Sequence, residues 1–133
     1  MHTNNSINRS RCFLMVVAKE RDLADAFKTQ ILIYPATANL RENYESPKLF
    51  DNGNYYLKIE DCEYFVKIYW DSIEKPKIAF PSLATRNKLS ELLPALIFTT
   101  EADILRDEAE QYARQLTEAR VSITCARVIS TST

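Results

Sequence analysis

Four carboxylates, Glu101, Asp103, Asp107 and Glu108, crowd one short stretch of the chain. They follow the apolar run of residues 95–98 and a polar break, and they open an amphipathic segment. The pattern reads as strand, loop and helix, with Asp103 at the carboxyl end of the strand. Open α/β sheets place their chemistry at such ends. Grouped acids can hold a divalent cation, but no ligand spacing is present here. Acids at a helix start also match the positive end of the helix dipole, and Glu108 and Glu110 fit that description. No metal and no cofactor is expected.

Other reactive side chains are few. The single histidine, His2, lies in a polar amino-terminal stretch and reads as chemically idle. Ser6 and Ser10 have no flanking glycine. Cys12, Cys62 and Cys125 are widely spaced, odd in number and without a Cys-x-x-Cys pair, so buried free thiols are expected rather than zinc ligands or disulfides. Tyr55, Tyr56, Tyr64, Phe65, Tyr69 and Trp70 form an aromatic cluster that reads as packing. Tyr34, beside Pro35, reads as a strand-end packing residue.

The elements that would position these groups follow from patterning. Residues 1–11 have no apolar period and read as a disordered tail. Residues 12–21 read as a buried helix. Residues 30–34, Gln-Ile-Leu-Ile-Tyr, read as a strand of a parallel sheet, buried on both faces and stopped by Pro35. Residues 36–56 read mostly as loop. Cys62, Phe65, Val66 and Tyr69 recur at helical spacing and predict a helix over 60–70. Residues 71–93 read as loop, with Pro76 and Pro81 excluding regular structure. A second strand is predicted over 95–98, a helix over 105–119 and a third strand over 121–128. In that helix, Leu105, Ala109, Tyr112, Ala113 and Leu116 share one face, and Arg120 sits at its negative end. Residues 129–133 read as a tail. Strands alternating with helices predict an α/β fold of about three parallel strands with flanking helices and a helical insertion.

Composition narrows the function classes. The chain has 133 residues, 26% charged and 46% hydrophobic, with a net charge of −1. That suits one globular domain with a core. The lack of a basic patch argues against nucleic acid. No apolar run approaches the roughly 20 residues of a membrane span. The amino terminus lacks the apolar core of a signal peptide, so a cytoplasmic protein is expected.

Four segments carry a family resemblance. Gln30-Ile-Leu-Ile-Tyr-Pro-Ala-Thr, the stretch from Tyr55 to Tyr69, Ala79-Phe-Pro-Ser-Leu-Ala, and Leu93-Pro-Ala-Leu-Ile through Arg106-Asp-Glu-Ala occur in that order. In that order they resemble the carboxyl-terminal portion of the hormone-sensitive-lipase-like esterases, a branch of the α/β-hydrolases, over residues 12–128. The resemblance implies that Asp103 is the acid of a serine–histidine–aspartate triad, which orients the base and stabilises its charged form. The bland alternative, a loop acid capping the next helix, is compatible with it. Asp107 is expected to be structural, pairing with Arg106 or capping the helix start. The aromatic insertion would either pack or line an acyl pocket. The substrate implied for an intact family member is a small acyl ester.

Departures from the family are large. The Gly-x-Ser-x-Gly turn and the His-Gly-Gly loop are absent, and the chain holds a single glycine, Gly53. Ser130 stands where the family's catalytic histidine belongs, and serine cannot do its work near neutral pH. Arg120 stands at a helix end where the family favours glycine, at a cost of about 1 kcal/mol if a left-handed conformation is needed. The expectation is therefore a truncated esterase relative, inactive alone. Two alternatives stand beside it: a non-catalytic binding module, and the product of a disrupted gene whose frame changes at both ends. The strand over 30–34 would be an open apolar edge that invites self-association.

Overall fold

The computed structural model describes residues 26–38, 43–70 and 80–129. The helix expected over 12–21, the first tail and most of the second lie outside those residues. Three strands form one sheet: β1 (Gln30–Ile33), β2 (Ala95–Thr100) and β3 (Ile123–Val128), in spatial order β1-β2-β3. Both pairings are parallel. Gln30 stands opposite Ala95, and Ala95 opposite Ile123. The helices are α1 (Glu45–Phe50), α2 (Ile59–Trp70), α3 (Arg86–Leu89) and α4 (Arg106–Glu118), with a 3₁₀ turn at Pro81–Leu83. The α/β class, the three parallel strands and the helical insertion all match the pattern read from the residues.

Helix α4 organises the core. Its apolar face, Ala109, Tyr112, Ala113 and Leu116, lies against Leu32 of β1 and Ile97 of β2, with Leu89, Leu92 and Val121 closing the cluster. Leu32, Ile97, Tyr112 and Leu116 have no exposed surface. At about 25 cal/mol per Å², such side chains each contribute on the order of 2 kcal/mol. A smaller cluster joins Ala36, Cys62, Ile104 and Leu105, with Phe50, Leu57 and Ile59 packed on it.

Several expectations need correction. β1 is not buried on both faces: Ile31 is 43% and Ile33 42% exposed, while Leu32 is sealed beneath α4. The second face has no covering layer among the described residues. Most of the described residues of 36–56 lie outside helix and strand, as expected, but the short α1 falls within them. Its first turn has no side-chain cap of its own, and Asp107, 61 residues away, accepts from the Ser46 amide instead. Pro81 does not exclude regular structure but begins the 3₁₀ turn, and Thr85 caps α3 by accepting from Lys88 N. Cys125 is exposed rather than buried; Cys62 is buried, and Cys12 lies outside the described residues. None of the cluster's aromatics whose side chains are described is fully buried. Tyr56 and Tyr64 are largely exposed, Phe65 is half-buried, and Phe50 meets Tyr55 edge-on at 5.2 Å. The side chains of Tyr69 and Trp70 lie outside the described residues.

β3 begins two residues later than expected because the end of α4 uses Val121. Arg120 adopts φ +64°. Its N–H donates to Thr117 O, and the Val121 N–H reaches back to Leu116 O. This paired closure is the Schellman motif, completed by buried Val121 beside buried Leu116. Arg120 thus occupies a conformation that disfavours side chains bearing Cβ. Arg120→Gly should therefore stabilise the protein by up to about 1 kcal/mol, read as a higher urea midpoint at unchanged slope.

Candidate active-site segment

The chain leaves β2 after Thr100 and enters α4 at Arg106, so residues 101–105 form the loop at the carboxyl tip of the central strand. Asp103 sits in the middle of that loop, as the sequence pattern expects. Its Oδ1 accepts from Leu105 N at 2.9 Å, and its carbonyl accepts from Arg106 N at 3.2 Å. It therefore does guide the chain into α4. The tip of β3 is adjacent, since Glu101 N donates to Val128 O at 3.0 Å.

The Asp103 carboxyl is pushed above its ordinary value by burial, opposed by the Leu105 amide and the charge of Arg106. Asp107 is held below its ordinary value: burial pushes upward, but hydrogen bonds from Arg106 and from the Ser46 and Glu45 amides outweigh it. Arg106 Nε meets Asp107 Oδ1 at 2.9 Å, so Asp107 both pairs with Arg106 and caps a helix, α1. Arg106 Nη1 donates to Glu101 O at 2.9 Å and to Glu101 Oε1 at 3.3 Å. Arg127 of β3 grips Glu110 with two hydrogen bonds, at 2.8 and 2.7 Å, and reaches Glu101 Oε2 at 3.3 Å. Thr99 Oγ1 also donates to Glu110.

Glu108 is the residue whose role the pattern missed. It is fully buried, and its Oε1 accepts from Thr37 N at 2.7 Å and Ala38 N at 3.3 Å. Thr37 Oγ1 donates to the Glu108 carbonyl, and Thr37 O accepts from both the amide and the hydroxyl of Ser82. The tip of β1 is thereby pinned to α4. A carboxylate one residue before the apolar position Ala109 gives one sequence signal, but nothing local names Thr37 as its partner. Just before this segment, Tyr34 adopts φ +50°, with its N–H donating to Phe98 O. The four acids thus do not converge on one point: Glu101 and Asp107 share Arg106, Asp103 accepts from Leu105 N, and Glu108 accepts from Thr37 N and Ala38 N. Among the described residues no group of three or more His, Cys, Asp and Glu could hold a metal ion.

Comparison with known proteins gives this arrangement a lineage. The family model described as "alpha/beta hydrolase fold" matches residues 12–131. A protein of Acanthamoeba polyphaga mimivirus named as an α/β hydrolase is 30% identical over 130 residues, covering 96% of this chain and 37% of its own length. An esterase from Rhizomucor miehei is 42% identical with a TM-score of 0.82, over 93% of this chain and 41% of its own. A thermostable esterase from Pseudomonas putida is 32% identical with a TM-score of 0.84, over 96% and 41%. The chain therefore belongs to the α/β-hydrolase family. It spans about two-fifths of the length of these relatives. No helix among the described residues is long and apolar enough to cross a membrane.

Two predictions follow from these contacts. Glu108→Ala leaves two buried N–H groups without their acceptor and should cost about 3 kcal/mol, while Glu108→Gln keeps an acceptor and should cost less; urea titration reads both. Glu110 is held below its ordinary value of 4.5, first by the hydrogen bonds from Arg127. A lowered folded value adds stability that is complete above 4.5 and is lost as pH falls through the lowered value. Asp103, raised, acts in the opposite sense and is relieved by acid. Glu110→Gln should therefore flatten the fall in unfolding free energy below about pH 5, measured by denaturant titration across the acid range.

Proposed function

We propose that this chain is the acid-bearing portion of a serine carboxylic-ester hydrolase acting on small acyl esters, with Asp103 as the triad acid. The observation that carries the reading is the position of Asp103 at the tip of β2, beside the exit of β3. The segment where the family places its base follows β3 directly. A carboxylate there can hold an imidazole in one tautomer and stabilise its cation.

The chain itself does not turn substrate over. Its sequence holds neither the Gly-x-Ser-x-Gly turn nor a histidine after β3. Purified chain should hydrolyse p-nitrophenyl acetate no faster than buffer; hydrolysis abolished by Asp103→Asn would overturn this. The acid role has its own test. Ser130→His places an imidazole at the family's base position, and proton NMR follows its titration. Its midpoint should lie above the usual value of about 6.5 and return toward it when Asp103→Asn is added. A midpoint indifferent to Asp103 overturns the assignment.

One observation favours a second reading, a non-catalytic module that self-associates through β1. The edge strand exposes Ile31 and Ile33, and it carries no charged residue. Exposed apolar side chains grouped on one sheet face offer a surface that a second chain can cover. Sedimentation velocity should then show concentration-dependent association that Ile33→Lys abolishes.

A further inference from the structure

We propose that Arg106 is the positioning residue of the acid loop: its guanidinium ties both ends of the loop so that the Asp103 carboxylate keeps one direction at the sheet tip. The catalytic meaning of this rests on the reading of Asp103 as the triad acid. The geometry stands without it.

Arg106 is the first residue of α4, yet its side chain folds back over the loop it follows. Nη1 holds Glu101, where the chain leaves β2, through both its carbonyl and its carboxylate. Nε holds Asp107, in the first turn of α4. Its own amide takes the Asp103 carbonyl. One residue therefore grips the loop before, at and after Asp103. The guanidinium lies over the Phe50 ring, 5.3 Å from its centroid, and the side chain is only 10% exposed. Burying a cation is costly unless it is fully paired, and here three acceptors and a ring face surround it. The geometry needs a planar fork, because one nitrogen turns to Glu101 and another to Asp107. A lysine ammonium is a point charge that cannot span the two in the same way.

The clamp also sets where the carboxylate points. Oδ1 is fixed by Leu105 N, and no other side-chain hydrogen bond to Asp103 occurs among the described residues. Glu101 is anchored in turn on the exit of β3, by its amide to Val128 O and by its carboxylate to Arg127. The loop is thus registered against the strand that leads to the base position. Loss of the fork would let the carboxylate swing toward water while the core beneath stays packed.

Arg106→Lys in the full chain tests this, because it keeps the charge and removes the fork. Amide hydrogen exchange and the carboxyl carbon shift of Asp103 are followed by NMR. Protection of the Leu105 amide should fall about tenfold, and the Asp103 midpoint should move down toward the ordinary carboxylate range as burial is lost. The amides of Tyr112 and Leu116 should keep their protection. Unchanged Leu105 protection and an unchanged Asp103 midpoint would overturn the proposal. An equal loss at Tyr112 and Leu116 would also overturn it, since the role would then be general stability. Should Arg106→Lys fail to fold, Glu101→Gln weakens the same clamp from its exposed side. It should lower Leu105 protection in the same sense, and no change there overturns the proposal. None of these readouts involves an imidazole at position 130, so they succeed or fail independently of the triad assignment.

Discussion

One buried carboxylate, that of Glu108, fixes the arrangement on which the rest of the sheet tip depends. β1 ends at Ile33; β2 still offers Phe98 O to the Tyr34 amide, but the amides of Thr37 and Ala38 bond to a side chain instead. Glu108 supplies that acceptor from the first turn of α4. Putting a carboxylate in that position costs desolvation, and charge-assisted hydrogen bonds to backbone amides offset it. The arrangement then propagates. Thr37, once held, presents its carbonyl to Ser82, and Gln115 of α4 donates to the Ser82 carbonyl. Two connecting segments distant in sequence thereby close on one helix. That same helix begins where the Asp103 loop ends. The β1 tip, the 3₁₀ turn and the acid loop therefore share α4 as their common frame.

Backbone strain appears where the chain leaves regular elements without a glycine. Tyr34 and Arg120 are the described non-glycine residues with positive φ. Each conformation costs about 1–2 kcal/mol for an L-residue. At Arg120 the Schellman hydrogen bonds and the buried Val121 offset the cost. At Tyr34 the compensation is the hydrogen bond that its N–H donates to Phe98 O and the buried Pro35, Ala36, Thr37 and Ala38 that follow. Strain of this kind persists only where surrounding contacts over-determine the conformation. After Tyr34 those contacts include Glu108, which holds Thr37 and Ala38, whereas at Arg120 they are local to the end of α4.

What the sequence disclosed was whatever depends on period and punctuation. The apolar run of β2, the helical face of Ala109, Tyr112, Ala113 and Leu116, and the Val/Ile/Thr-rich β3 all announce themselves locally. So does Asp103, because its place between an apolar run and an amphipathic helix is a local property. What stayed hidden depends on partners far along the chain. α1 is stabilised by Asp107, whose pairing with Ser46 no spacing rule reveals. Glu108 resembles any acid of a first helical turn, and only the fold brings Thr37 to it. The exposure of Ile31 and Ile33 is likewise invisible locally, because whether a sheet face is covered is decided by elements elsewhere. A continuously apolar run is the pattern of a strand covered on both faces, and here no element among the described residues covers the face of Ile31 and Ile33.

The electrostatics around Asp103 show why its position matters more than its neighbours' charge. Three acids nearby, Glu101, Asp107 and Glu110, are each engaged by an arginine. Asp103 is not: Arg106 bonds to it through its backbone amide, while its guanidinium turns to Glu101 and Asp107. Burial therefore dominates, and the Asp103 carboxyl is raised while Asp107 and Glu110 are lowered. A carboxylate kept partly dry and without its own cation gains most from a positive group brought to its open oxygen. An imidazolium at the exit of β3 would be such a group. In water the same pair would gain little, because exposed ion pairs are screened. At Asp103 burial and the arginine oppose each other: burial disfavours the charged carboxylate and the charge of Arg106 favours it, while the guanidinium spends its hydrogen bonds on Glu101 and Asp107.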